Sequence, residues 1–306
     1  MQIFHSLDAL PPNEHRAAVA IGNFDGVHRG HQALLKHMLS SARAEQAIST
    51  VLTFHPHPVE VLRPGTKLER LTTTEEKLAL LEEQGVKRVL VEPFNVELAA
   101  LSADAFFERF LVKGLRAASL HVGDDFHFGA KREGNIARLR SLCDKASIKL
   151  EVESPSELGG VRISSSLVRE AVIQGDVTKA AEYLGRPYTM AGTVIKGDQR
   201  GRQLGFPTAN LQFLPEKVVP RNGVYLTAST VNGETYRSVT NIGVRPTFGA
   251  NRPSVETHLL DFDSTIYDET LQLEFWGRLR DEKKFDSVDA LKRQITLDVN
   301  EARGKQ

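Results

Sequence analysis

The chain has 306 residues, with 39 Lys and Arg against 39 Asp and Glu, so it lacks the cationic surplus needed to coat a nucleic acid. Its 41% hydrophobic and 25% charged content is that of a globular protein with room for two cores. No apolar run reaches the roughly 18 residues that span a membrane, and the single cysteine, Cys143, excludes an intramolecular disulfide. The first residues carry no basic segment followed by an apolar one, so the sequence predicts a cytosolic protein without nucleic-acid or membrane partners.

In chain order, a short apolar strand is expected over Ala17 to Ile21, followed by a helix on which Leu34, Leu35, Met38, Leu39 and Ala42 recur at helical spacing. A second strand, Ile48 to Phe54, is halted by His55-Pro56-His57-Pro58. A helix over Thr74 to Gln84 stops at Gly85, and a strand covers Val86 to Val91. Further helices are expected over Ala103 to Leu115 and Ile136 to Lys145, with strands over Ser119 to Val122 and Ile148 to Val152. This alternation predicts an α/β domain, Rossmann-like, with a parallel sheet. From about Tyr183 the texture changes to Gly, Pro and Thr with apolar residues at period two. Six strands are expected: Thr189 to Ile195, Phe206 to Leu211, Gly223 to Thr230, Thr235 to Ile242, Val255 to Phe262 and Leu271 to Trp276. Asn232-Gly233 is a type I′ hairpin signal, and a last helix puts Val288, Leu291, Ile295, Val299 and Ala302 on one face. The second half is therefore read as a six-stranded antiparallel β-barrel with a terminal helix, giving domains over residues 1–184 and 185–306.

Two stretches carry chemistry. Gly22-Asn23-Phe24-Asp25-Gly26-Val27-His28-Arg29-Gly30-His31 lies where the first strand meets the first helix, a place that favours anions through backbone N–H groups and the helix dipole. Gly22, Gly26 and Gly30 permit close backbone approach, while His28 and His31 share a face and can donate to a triphosphate or a leaving pyrophosphate. A plain glycine turn with two surface histidines is the bland alternative, and a zinc site lacks convincing third and fourth ligands. Arg162-Ile163-Ser164-Ser165-Ser166-Leu167-Val168-Arg169 reads either as an ordinary serine cap or, with Arg169, as a second phosphate clamp.

In the second half, Gly197-Asp198-Gln199-Arg200-Gly201-Arg202-Gln203-Leu204-Gly205-Phe206-Pro207-Thr208-Ala209-Asn210 offers N–H groups to phosphates. Thr208 and Asn210 supply hard oxygens suited to magnesium, and alternation on a strand would aim both to one face. Asn241-Ile242-Gly243-Val244-Arg245-Pro246-Thr247-Phe248-Gly249 is read as a loop of turn formers. Glu256 on the next strand is either a solvated carboxylate or a base beside a magnesium–nucleotide site.

Gly22 to His31 and Ile163 to Arg169 resemble the paired signatures of the nucleotidyltransferase superfamily that includes class I tRNA synthetases. Thr53-Phe54-His55-Pro56-His57-Pro58 and Val122-Gly123-Asp124-Asp125-Phe126-His127-Phe128-Gly129 narrow the resemblance to the N-terminal module of bifunctional bacterial riboflavin kinase/FAD synthetases. The remainder, with Phe206-Pro207-Thr208-Ala209-Asn210, Glu256, Tyr267 and Leu279 to Phe285, looks like riboflavin kinase. The resemblance implies that His28 and His31 contact ATP phosphates and that Gly22, Phe24, Asp25, Gly30, Ser164, Ser165 and Arg169 form the ATP site of the first domain. It places His57, Asp125 and Phe126 around the adenine or flavin, with His127 where the family often has arginine. For the second domain it implies ATP binding by Gly201, Gly205, Thr208 and Asn210, the last two with Mg2+. It further implies flavin contacts from Asn241 and Arg245, and Glu256 as catalytic base.

The resulting expectation is riboflavin plus ATP to FMN, then FMN plus a second ATP to FAD and pyrophosphate. Two rivals stay open: another nucleotidyltransferase, such as one adenylating a pantetheine phosphate, and a flavin-binding regulator without turnover.

Overall fold

The computed structural model describes residues 1–11, 15–66, 68–197, 199–247 and 250–304. By packing the chain divides into two compact units, Met1–Ser165 and Ser166–Gln306.

The first unit is a six-stranded parallel sheet of β1 (Gln2–Phe4), β2 (Ala17–Ile21), β3 (Ile48–His55), β4 (Arg88–Pro93), β5 (Ala117–Gly123) and β6 (Lys149–Glu153) in the order β1-β4-β3-β2-β5-β6. The sequence reading missed β1, whose three residues are mostly exposed and carry no pattern. β2 is buried along its whole length, and its side chains alternate between two cores. Ala17, Val19 and Ile21 face one, with Phe106, Phe107, Phe110 and Leu111. Ala18 and Ala20 face the other, where their small size admits Leu34, Leu35 and Met38 of α1 (Arg29–Ala44). Burial of both faces is what a parallel sheet flanked by helices requires. The remaining helices are α2 (Pro58–Leu62), α3 (Thr74–Glu83), α4 (Val96–Ala99), α5 (Ala103–Phe106), which runs on as a π-helical stretch over Phe107–Gly114, and α6 (Ile136–Ala146). A short hairpin, β7 (Glu157–Leu158) and β8 (Val161–Arg162), precedes α7 (Ser165–Gln174). The chain leaves β2 toward β3 and β4, then crosses to β5 on the other side. The carboxyl ends of β2 and β5 therefore form a topological switch point, where open α/β sheets bind ligands.

The second unit is a closed barrel of β9 (Tyr188–Ile195), β10 (Ala209–Gln212), β11 (Gly223–Val231), β12 (Glu234–Thr247), β13 (Ala250–Leu259) and β14 (Thr270–Arg280), ordered β10-β13-β12-β11-β14-β9, with α8 (Val177–Leu184) packed on β9 and β14. Division by compactness falls before α7, whereas the change in sequence texture falls after α8, because α8 keeps helical periodicity yet packs on the barrel. Asn232 and Gly233 take φ of 52° and 83°, the paired positive values of the expected hairpin turn. The stretch read as a loop, from Asn241 on, is instead strand to Thr247: pairing with β13 continues to Thr247↔Ala250, after pairing with β11 has ended at Gly223↔Ile242.

Inside the barrel hydroxyls bond one another. Thr227 Oγ1 lies 2.7 Å from both Ser238 Oγ and Thr240 Oγ1, Ser229 donates to Ser238 at 2.7 Å, and Thr240 donates to Thr257 at 2.9 Å. Outside, α10 (Val288–Gly304), which follows the short α9 (Arg200–Leu204) and the last strands, packs Val299 and Ala302 against Val224, Leu226 and Val239. Its apolar face is only half used, since Val288 is 63% exposed. What locks the helix is polar: the buried Asp298 carboxylate accepts from Arg280 Nε at 2.9 Å, Arg280 Nη2 at 2.7 Å and Gln294 at 2.9 Å. Removing one partner of such a pair leaves an uncompensated buried charge, so Asp298→Ala is expected to destabilise the barrel by about 3 kcal/mol in denaturant titration.

His121 on β5 is 2% exposed, its Nε2 3.4 Å from Ser119 Oγ. Burial holds its pKa down at about 4 against an ordinary 6.5, with nearby Glu151 opposing. The fold thus refuses a proton that the unfolded chain takes up below pH 6.5. Stability intact above that value is lost as pH falls toward 4, by about 2 kcal/mol at pH 5. His121→Gln should flatten that part of the pH–stability curve.

Candidate active sites

At the first switch-point loop, Gly22 ends β2 and Asp25 turns inward. Its carboxylate accepts from Leu71 N at 3.2 Å, Thr72 N at 3.0 Å and Thr72 Oγ1 at 3.2 Å. Gly26 N donates to Thr72 Oγ1 at 3.1 Å, and the Ser165 hydroxyl donates to the Asp25 carbonyl at 2.9 Å. Asp25 therefore both lines the cleft and ties the loop to the segment before α3. Phe24 is buried in the core, with its ring under Gly22 and 5.1 Å from the His31 ring.

His28 is the N-cap of α1, accepting from His31 N at 3.4 Å through Nδ1. In the neutral ring this leaves the proton on Nε2 as a donor. The His31 ring stacks on it, 3.7 Å between centroids at 18°, and Nδ1 of His31 is buried without a hydrogen-bond partner. Burial first, then His28 and Lys77, hold the His31 pKa well below its ordinary value, so it works as a neutral imidazole. A Cβ at Gly30 would lie 3.2 Å from the His28 ring, so glycine leaves the imidazole its place. The first turn of α1 has no acidic residue, unlike that of α3 with Glu75 and Glu76. The positive end of the α1 dipole is thus left for an anion. Ser164 precedes α7 and Arg169 lies one turn into it.

The adjoining cleft is lined by Asn23, Asp25, Phe54, His55, His57, Arg70, Thr72 and Lys77. His57 caps α2, accepting from Val59 N at 3.2 Å, and burial lowers its pKa while Asp25 and Glu60 oppose. Phe54 opens an aromatic series: Phe54 to Phe106 at 6.5 Å, Phe106 to Phe128 at 6.0 Å, Phe128 to Phe126 at 5.5 Å and nearly parallel. Asp125, exposed after β5, pairs with Arg162 at 3.2 Å, and His127 Nδ1 turns to the Asp125 carbonyl at 2.8 Å. Arg70, Thr72, Lys77 and the partners of Phe126 in the aromatic series escaped the sequence reading. The only advance sign was a lysine on the same face of α3 as the core residue Leu81.

In the barrel, register assembles the second site. Glu256 on β13 is the direct partner of Asn210 on β10 and of Asn241 on β12. The three side chains therefore share one face, with neighbouring Cβ atoms roughly 5 Å apart. A Cβ at Gly197 would collide with the Asn210 amide, and one at Gly201 with the Phe206 carbonyl, 3.2 Å from Thr208 Oγ1. Only glycine allows these backbones so close to the Thr208 hydroxyl and the Asn210 amide. Two neutral oxygens in such a cradle suit magnesium, which keeps waters and phosphate oxygens as its other ligands. The strand begins at Ala209, so strand alternation does not extend to Thr208. Thr208 instead lines a cavity of about 290 Å³ with Gln199, Arg202, Phe262, Asp263 and Tyr267. Gly205 closes α9 at φ 88°. Arg245 is a strand residue opposite Arg252, and its side chain lies outside the described part.

Comparison with known proteins agrees with two sites. A family model described as FAD synthetase matches residues 10–167, and one described as riboflavin kinase matches residues 184–305. Bifunctional riboflavin kinase/FMN adenylyltransferase of Pseudomonas fluorescens is 44% identical over 99% of this chain and 97% of its own. That of Escherichia coli K12 is 40% identical over 98% and 95%. A crystal structure titled as a macrolide-efflux protein from Streptococcus pneumoniae superposes with a TM-score of 0.92 at 30% identity, covering 99% of both chains. No helix among the described residues is long and apolar enough to cross a membrane. Family models and relatives together thus converge on flavin chemistry, and the chain belongs to the family of bifunctional riboflavin kinase/FMN adenylyltransferases.

Proposed function

We infer that residues 185–306 phosphorylate riboflavin to FMN and that residues 1–184 adenylate FMN to FAD, in the cytoplasm. What supports this reading is the stacked His28 and His31 at the start of α1 in one unit and the row of Asn210, Glu256 and Asn241 beside Thr208 in the other.

In the barrel, Glu256 takes the proton of the ribityl 5′-hydroxyl as that oxygen attacks the γ-phosphorus of ATP. The bond from that phosphorus to the β–γ bridging oxygen breaks and ADP leaves. Asn241, beside Glu256 in the row, orients the hydroxyl. The cavity at Thr208 and Arg202 receives the nucleotide. Thr208 and Asn210 would hold magnesium, which, when bound, neutralises charge on the phosphates.

In the first unit a phosphate oxygen of FMN attacks the α-phosphorus of ATP and pyrophosphate leaves, with no protein nucleophile needed. His28 donates through Nε2, and neutral His31 and the first amides of α1 add donors to the oxygens that gain charge. Gly22, Gly30, Ser164 and Ser165 complete the ATP site, and Phe126 with its aromatic neighbours stacks the flavin.

Glu256→Gln should lower FMN formation by about 10²–10⁴-fold, while FAD formation from supplied FMN stays within about twofold of wild type. His28→Ala should do the reverse, cutting FAD formation by about 10²-fold and sparing the kinase. Chromatographic resolution of flavins formed from riboflavin or from FMN measures both, and equal loss of both activities in either variant would contradict the division of labour.

A further inference from the structure

Lys77 is a buried polar side chain lining the first cleft that the mechanism above leaves unused. It is 8% exposed, on the buried face of α3 with Leu81, where an aliphatic residue would fill the space without the cost of burying a charge. Its Nζ reaches the carboxyl ends of two sheet strands, donating to the Asn23 carbonyl at 3.3 Å and to Thr53 Oγ1 at 3.1 Å. Thr53 Oγ1 in turn donates to the same Asn23 carbonyl at 3.3 Å. An ammonium has three N–H donors, and the third of Lys77 has no partner among the described residues although the side chain lines the cleft. The neighbouring charges are otherwise engaged: Arg70 pairs with Glu60 at 2.6 Å, and the Asp25 carboxylate holds Leu71 and Thr72.

We propose that Lys77 is the residue by which the N-terminal cleft holds the phosphate of FMN, its remaining N–H donating to a phosphate oxygen, so that the cleft selects the phosphorylated flavin over riboflavin. The proposal rests on the assignment of FMN adenylylation to this unit. The two fixed hydrogen bonds pre-set the direction of the third, which is the means by which a flexible lysine becomes a geometric contact. The phosphate so held is the nucleophile, brought up to the ATP bound at His28 and His31.

The groups facing Lys77 are Asp25, Arg70, His31, His55 and His57. Burial, with Arg70 adding to it and Asp25 opposing, brings the Lys77 pKa down to about 8. The charged form is the binding form, so its contribution is present below pH 8 and is lost as pH rises through that value.

The test uses the full chain. In Lys77→Met the KM for FMN in FAD formation should rise at least about tenfold, equivalent to about 1.4 kcal/mol. The KM for ATP, the inhibition of that step by riboflavin and the riboflavin kinase rate should stay within about twofold. In wild type, kcat/KM for FMN should fall as pH rises through about 8, and Lys77→Arg should carry activity past pH 9. A rise in the KM for ATP instead, an unchanged KM for FMN, or an alkaline limb that persists in Lys77→Arg would each overturn the proposal. Should Lys77→Met lose the fold of the first unit, the pH profiles of wild type and Lys77→Arg decide alone. Absence of FAD formation by the wild-type chain would overturn the assignment of the unit itself, a result distinguishable from all of these.

Discussion

The first site depends on one buried carboxylate. Asp25 gathers three hydrogen bonds from Leu71 and Thr72, 46 and 47 residues away along the chain, and thereby fixes both walls of the cleft. The loop it anchors is not relaxed: Phe24 and the β-branched Val27 have φ of 52° and 40°, values that cost on the order of 1–3 kcal/mol each. Charge-assisted bonds to backbone amides are among the stronger contacts available to offset such a cost. The same geometry turns Gly26 N toward Thr72.

In the proposed mechanism the two units meet the same need, charge building on phosphate, with different backbone. The α/β unit offers a helix N-terminus free of acidic residues and two imidazoles, the inner of them kept neutral by burial. The barrel offers a row of side chains across three strands and two glycines beside a hydroxyl and an amide. Neither construction needs a large net charge, which is how a chain with 39 residues of each sign handles triphosphates.

Local patterns announced most of this in advance. Glycines at strand ends, histidines three apart and a period change near Tyr183 each report on contacts within a few residues, and the parallel sheet and six-stranded barrel followed from them. What stayed hidden was set by distance or by register. Lys77 and Thr72 reach the cleft only because α3 and its leading segment fold back on β2, and nothing beside them in the sequence marks that. The stretch from Asn241 to Thr247 looked like a loop because Gly243 and Pro246 break strand propensity, yet pairing with β13 carries it. On α10 the periodic face overstated burial at Val288, while the anchor proved to be Asp298, a polar residue at the edge of that face.

The hydroxyl chain inside the barrel has a role beyond filling it. Thr240 and Thr257 are register partners, and each immediately precedes or follows Asn241 or Glu256, the row proposed to react. Slippage of β12 against β13 by one residue would bring Thr240 opposite Glu256 or His258 and break its bond to Thr257 inside the barrel. The interior ladder thus acts as a vernier: it sets the alignment of Glu256 with Asn241 from the opposite side of the sheet. Alignment on the outer face is in this way inherited from hydroxyls buried inside the barrel.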